Sequence, residues 1–339
     1  MQMCKNVNNV ELTIFLNNDL TFAVLKKRLL FYMITRRNIR INVFQTIYEL
    51  AQQQSEFSKA EAQKYFLQKL DSTEALLAAA TQLVYSVSNY VLIYANQRAS
   101  RRLANTDDKN VITKLTQNQI LLGLKRNEKF TDVLKKHKLS NIFDDSFIKK
   151  LFLLVFDNPI YRAYIHQPEL SLAHDRKVMD MIAEVCIFNN DDTTNVLTEH
   201  FMNLYNDDEL IKIGIERVFT NPATYNFSKL ISQDKLQYGE DLINCYFDKK
   251  DILFQLIEPK LINWDAERVA IIDTILLHLA ISEMLYFPSI PLKVTINEYI
   301  DIAKEYSTPQ SGQFVNGLLD NVRKDLEKEN KIFKQEFKK

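Results

Sequence analysis

Glycine occurs only five times and proline seven times in 339 residues, where globular chains average roughly 7% and 5%. The five glycines, Gly123, Gly214, Gly239, Gly312 and Gly317, are isolated. A phosphate-cradling loop needs clustered glycines, because its backbone must approach the anion where a Cβ would clash. Neither G-x-G-x-x-G nor G-x-x-x-x-G-K can be written, which excludes a Rossmann or P-loop enzyme. So little turn chemistry also speaks against an all-β fold. No stretch alternates apolar and polar residues with period 2, so the expected class is all-α.

Other absences narrow the chemistry. The cysteines Cys4, Cys186 and Cys245 are odd in number and far apart, so neither a disulfide framework nor a zinc site is indicated. The five histidines form no H-E-x-x-H, and Glu199-His200 lacks a second histidine at helical spacing. No G-x-S-x-G exists. The acidic groups Asp191-Asp192 and Asp207-Asp208-Glu209 precede helical patterns, where caps and helix-dipole partners explain them. The expectation is a protein without catalytic residues, metal or cofactor. Lys+Arg 43 balance Asp+Glu 43, so no global field advertises a polyanionic partner and any nucleic-acid site must be local. No apolar run approaches the ~18 residues of a membrane span. The cluster Lys26-Lys27-Arg28 follows an apolar stretch instead of preceding it, unlike a signal peptide. A cytoplasmic protein is expected.

What is present is helical. Residues 1–32 are Asn-rich and weakly periodic, and Met33 opens a better-patterned segment. Met33 is therefore read as the start and 1–32 as an upstream extension, with a genuine N-terminal arm as the rival reading. Ile39, Val43, Phe44, Ile47, Leu50 and Ala51 fit one helix face. A long helix is predicted from Asp71, with Glu74 completing a capping box, to about Leu103. Its stripe from Leu76 to Tyr94 is core or helix-pairing surface. Further helices are predicted at about 127–136, 145–156, 172–188, 193–219 (broken near Asn206), 236–258, 265–286, 292–305 and 309–335.

Two segments draw attention to binding. Between Leu20 and Tyr48 the chain carries Lys26, Lys27, Arg28, Arg36, Arg37 and Arg40 and no acidic residue. Arg36 and Arg40 share an azimuth with Val43 and Ile47, so the arginines are expected to project beyond the core as a basic arm. A guanidinium can donate two hydrogen bonds to one phosphate; a solvated helix start is the plain alternative. The second segment runs from Ser307 to Asp320. Thr308 as N-cap with Pro309 at the first helical position predicts a sharp helix start whose free N–H groups suit a phosphate. Phe314 one turn in is either a base-stacking ring or, with Val315, Leu318, Leu319 and Val322, core. Gly317 in mid-helix costs ~1 kcal/mol relative to Ala, which suggests close helix packing there.

Together these segments resemble the NusB family of bacterial transcription antitermination factors. Arg36-Arg37-Asn38-Ile39-Arg40, Val43, Gln45 and Ile47-Tyr48 are similar to that family's arginine-rich start and Q-x-L-Y helix. The more specific match runs through Trp264-Asp265, Ile271–Asp273, Glu283-Met284-Leu285-Tyr286, Ile290-Pro291-Leu292-Lys293-Val294, Ile296-Asn297-Glu298 and Ala303-Lys304 to Ser311-Gly312-Gln313-Phe314-Val315-Asn316-Gly317. The resemblance covers about 35–51 and 236–326. It implies two packed three-helix units and binding of single-stranded boxA-type leader RNA. It also implies pairing with the ribosomal protein NusE and loading onto RNA polymerase with other Nus factors. By position it implies an RNA surface of Arg36, Arg37, Arg40, Tyr48, Gln313 and Phe314. Gln313 stands where lysine is usual, and Phe287 where a basic residue commonly follows the tyrosine.

The chain is accordingly divided into a 1–32 extension, an arginine-rich helix at 33–54, an all-helical insertion at 55–235, a NusB-like domain at 236–326 and a charged helical tail at 327–339. The basic groups Arg98/Arg101/Arg102 and Lys135-Lys136-His137-Lys138 in the insertion are read as solvated helix ends or replacement phosphate contacts. Two alternatives to an RNA-binding adaptor are a protein-interaction scaffold that has lost RNA binding and a relative of the ribosomal-RNA methyltransferases that begin with a NusB-like domain. The latter need a glycine-containing cofactor domain downstream, and only a short tail follows residue 326.

Overall fold

The computed structural model describes residues 33–53, 56–101, 110–169, 171–201, 204–261 and 270–335, with side chains at 204–206 left aside. Most of these residues are helical and no strand occurs among them, so the class is all-α. In chain order the helices are α1 (Arg36–Gln53), α2 (Lys59–Ala99), α3 (Gln119–Arg126), α4 (Glu128–Lys136), α5 (Asp145–Asp157), α6 (Pro159–Ile165) and α7 (Leu172–Ala183). They continue with α8 (Asp191–His200), α9 (Leu204–Thr220), α10 (Gln233–Asp248), α11 (Lys250–Ile257), α12 (Ile271–Tyr286), α13 (Leu292–Tyr306) and α14 (Ser311–Lys328). The predicted extension 1–32 and the motif Trp264-Asp265 lie outside the described residues.

The chain forms two compact units. One holds residues 69–230 together with Met33, and the other holds 34–68 and 231–335. Residues 59–68, read from sequence as insertion, thus belong with the C-terminal helices.

In the larger unit, α2 supplies the core stripe Leu76, Leu77, Leu83, Val84, Val87, Tyr90, Val91 and Tyr94, all buried. Tyr94 meets Phe152 and Phe156 of α5 at ring distances of 5.2 and 5.1 Å, and Tyr85 meets Phe130 of α4 at 6.2 Å. By length and composition α2 could cross a bilayer, contrary to the sequence expectation. Yet 67% of its most apolar window is buried inside the protein, so its apolar face is already occupied by core. After α7 one turn widens into a π-helix, Glu184–Phe188.

The predicted helix start at Asp71 is corrected by the true one at Lys59. The capping box is Ser58 with Glu61: the Ser58 amide donates to Glu61 Oε2 at 2.7 Å, and the Glu61 amide donates to Ser58 Oγ at 3.2 Å. Asp71 and Glu74 instead accept from Lys136 Nζ at 2.7 and 2.8 Å in mid-helix. Two short helices, α3 and α6, escape apolar periodicity. Both are signalled by asparagine caps, Asn118 and Asn158, whose side chains accept from backbone amides.

In the C-terminal unit α12 is the central element. Residues Ile275 to Met284 are buried on every side, as expected of a helix apolar all round. It packs against α1, α10, α11, α13 and α14, while α13 and α14 also pack on each other and α10 touches both α1 and α11. Two three-helix groups result, α1/α10/α11 and α12/α13/α14, in line with a NusB-like fold. Tyr299, Ile302, Val315, Leu319 and Val322 close the second group around α12.

Three further expectations are corrected here. The last helix starts at Ser311, with Thr308 and Pro309 in the preceding turn and the Ser311 amide bonded to Thr308 O at 3.0 Å. Gly317 packs closely against nothing: an added Cβ would find no heavy atom within 4 Å. Among the described residues the tail is helical only to Lys328. Residues 331–335 are irregular, and Lys334 Nζ donates to the carbonyls of Glu283 and Phe287 at 2.9 Å each. That ammonium satisfies carbonyls at the end of α12, where the helix dipole favours positive charge, and burial pulls its pKa down to about 8.

Candidate nucleic-acid interface

The arginine-rich start forms the first turns of α1. Thr35 and Asn38 hold that start, with the Thr35 amide donating to Asn38 Oδ1 at 2.9 Å and the Asn38 amide donating to Thr35 Oγ1 at 3.3 Å. Helical geometry then places the three arginines in different surroundings. Arg36 is exposed, its guanidinium 5.9 Å from the Tyr238 ring centre. Arg37 reaches α13, donating to Glu298 at 3.4 Å and to Glu305 at 3.0 Å. Arg40 is only 2% exposed.

Arg40 therefore departs from the expected basic arm. Its Nε and Nη2 donate to the two carboxylate oxygens of Glu283, at 2.9 and 2.8 Å. Glu283 also accepts from the Tyr238 hydroxyl and from Thr295 Oγ1 at 2.6 Å. Burial opposes the Arg40 charge, but the hydrogen bonds to Glu283 and the nearby Tyr238 outweigh it, so the pKa is raised. An arginine so enclosed is an internal counter-ion and offers no hydrogen bond to phosphate.

Tyr48 is half-buried and stacks on Phe44 with ring centres 6.0 Å apart. Phe44 in turn meets Tyr306 edge-on at 5.6 Å, placing Tyr48 near the end of α13. Phe314 is 6% exposed. The core alternative for its ring holds, and the base-stacking one fails in this arrangement because the ring is enclosed by its own helix layer.

Gln313 is exposed and lines a groove of about 700 Å³ between α13 and α14. Asn297, Ile300, Asp301 and Lys304 come from α13, Gly312 and Asn316 from α14, and Pro309 from the turn between them. Gly312 makes the closure possible: a Cβ there would stand 2.7 Å from Lys304 Cγ. On α13 the groove residues 297, 301 and 304 adjoin Glu298 and Glu305, each one residue or about 100° round the helix. Arg37 and Gln313, 276 positions apart in the chain by their numbers, thus work on adjoining faces of α13. Apolar periodicity gave no hint of Asn297, Asp301, Lys304 and Asn316, although 297, 301 and 304 form a polar stripe at i, i+4, i+7.

A model of the NusB family matches residues 178–324. The chain is 32% identical over 118 residues to the transcription antitermination protein NusB of Bacillus licheniformis, covering 35% of this chain and 90% of that protein. The chain belongs to the NusB family. Its likeness to the Methylacidiphilum infernorum NusB is 42% over 101 residues, or 30% of this chain and 70% of the relative. The Salinibacter ruber NusB is 36% identical over 125 residues, 37% and 69% respectively. No solved structure matches. The NusB model begins within α7 and ends within α14, so the place of α1 in this NusB-like unit rests on its packing against α10 and α12.

Proposed function

We propose that this protein is a transcription antitermination factor, a non-catalytic cytoplasmic adaptor that binds single-stranded boxA-type leader RNA. In this reading it acts with the ribosomal protein NusE and, with other Nus factors, on RNA polymerase. The observation that carries the reading is the meeting of Arg37 and the Gln313 groove around α13. Segments far apart in sequence are thereby combined into one polar surface beside cations. The kinship with proteins named transcription antitermination protein NusB supports it.

The cationic part of this surface is small. Arg37 is already shared between two glutamates, and Lys304 donates to Asp301 at 3.2 Å. Binding by the chain alone is therefore weak and is reinforced by a basic protein partner. Gel-shift titration of the full chain with a boxA-type RNA, with and without the ribosomal partner, tests this. Tight, salt-sensitive binding in the presence of the partner is expected, with a log–log slope of about −0.7 per phosphate contacted. Partner binding with no RNA retained would select the protein-only scaffold instead.

A further inference from the structure

Three carboxamides line the groove between α13 and α14: Asn297 from one helix, Gln313 and Asn316 from the other. All three side chains are exposed, and none makes a hydrogen bond to another described residue. Asp301 and Lys304 beside them are engaged with each other. The groove's volume falls within the range of small-ligand sites, and Ile300 and Pro309 give it apolar surface for a flat ring.

The donor set discriminates among bases. A carboxamide offers one acceptor and one donor side by side, the complement of the N6 amino group and N7 of adenine. Guanine's O6 and N7 call for two donors, which arginine or lysine supplies. No arginine lines the groove, and the ammonium of its one lysine already gives one hydrogen bond to Asp301. Gly317, one turn beyond Gln313, leaves the space above the α14 backbone open, so a sugar–phosphate chain can lie close to that helix.

We propose that this groove receives one unstacked adenine of the bound RNA and reads its N6/N7 edge through these carboxamides. The proposal rests on the RNA-binding reading above and adds the base and the residues that select it. Single-stranded RNA suits such a site because a splayed base presents its edge freely.

The test uses the full chain and fluorescein-labelled 12-nucleotide uridine RNAs carrying one central adenosine, guanosine, purine riboside or 7-deaza-adenosine. Purine riboside lacks the N6 amino group and 7-deaza-adenosine lacks N7. Fluorescence anisotropy is expected to show adenosine bound about tenfold more tightly than each of the others. In Gln313→Ala and Asn316→Ala the ratio of adenosine to analogue affinity should fall to about one, with unchanged thermal unfolding. Equal binding of all four RNAs by the unaltered protein, or a preference that survives both substitutions, overturns the groove assignment while RNA binding stands. A guanosine preference overturns the choice of base. No binding to any RNA, even with the ribosomal partner added, overturns the RNA-binding reading and this proposal with it.

Discussion

Arg40 and Glu283 form a two-point ion pair across the C-terminal unit, their side chains 3% and 0% exposed. Both carboxylate oxygens are occupied by the guanidinium, and Tyr238 and Thr295 supply further donors. Removing Arg40 leaves the buried Glu283 carboxylate without its counter-ion, which costs about 3–5 kcal/mol. Arg40→Ala should therefore destabilise the protein by about that amount in urea unfolding, whereas Arg36→Ala should stay within about 0.5 kcal/mol. An Arg40→Met, Glu283→Leu double variant should recover much of the loss, because apolar replacement of both partners removes the desolvation cost. Weaker RNA binding in an Arg40 variant would then report on folding, whereas Arg36 and Arg37 variants would report on contact with RNA.

Arg37 has the opposite character. Its side chain is 36% exposed and its partners Glu298 and Glu305 are 28% and 50% exposed, so the pairs contribute at most about 1 kcal/mol to stability. Their larger effect is to neutralise a cation at the proposed RNA surface. Glu305→Gln should leave the unfolding midpoint nearly unchanged and tighten RNA binding. The salt dependence should steepen by about 0.7 in log–log slope as Arg37 gains a phosphate. An unchanged slope would place Arg37 outside the RNA contact.

The contrast among the three arginines shows which parts of this molecule were legible in sequence. The helical class and the stripe that buries α2 follow from composition and period 3.6, and the all-round burial of α12 from its apolar run; none needs tertiary information. The start of α2 is not legible locally because Asp71 and Glu74 imitate a capping box, while their partners Lys136 and His137 lie some sixty residues away. Arg40 departs from its sequence expectation for a similar reason. Its azimuth matched the core positions Val43 and Ile47, but the glutamate that makes such burial tolerable sits 243 residues downstream. A local pattern reports the face on which a charge lies; it does not report whether a counter-ion waits there. Gln313 is signalled by family resemblance alone, and the Asn297 and Asn316 amides form a group with it only where α13 and α14 close together.

His278 supplies a pH test of the α12 core. It is 5% exposed, edge-on to Tyr246 at 5.7 Å, and burial pushes its pKa down to about 4 from the usual 6.5. The unfolded chain therefore takes up this proton at higher pH than the folded one. Stability is complete above pH 6.5 and is lost as pH falls towards 4, by up to about 3 kcal/mol from this group. Urea unfolding at pH 7.5 and pH 4.5 should show a larger loss for the native chain than for His278→Leu. Equal losses would mean that the imidazole does not resist protonation in the core.

Gly239 and Gly317 should respond oppositely to alanine, because their surroundings differ. At Gly239 in α10 a Cβ would overlap the Phe66 ring and stand 3.0 Å from Ile39 Cγ2. Phe66 is fully buried and cannot withdraw, so Gly239→Ala should cost about 1–3 kcal/mol through overpacking. At Gly317 a Cβ meets nothing within 4 Å, so alanine should stabilise α14 by up to ~1 kcal/mol through helix propensity. No described neighbour calls for glycine at this position, and the proposed close passage of an RNA backbone would use the space it leaves. Gly317→Ala should accordingly raise the thermal midpoint while weakening RNA binding in the same preparation. A variant that is more stable and binds RNA as well as before would leave the open face of α14 without that role.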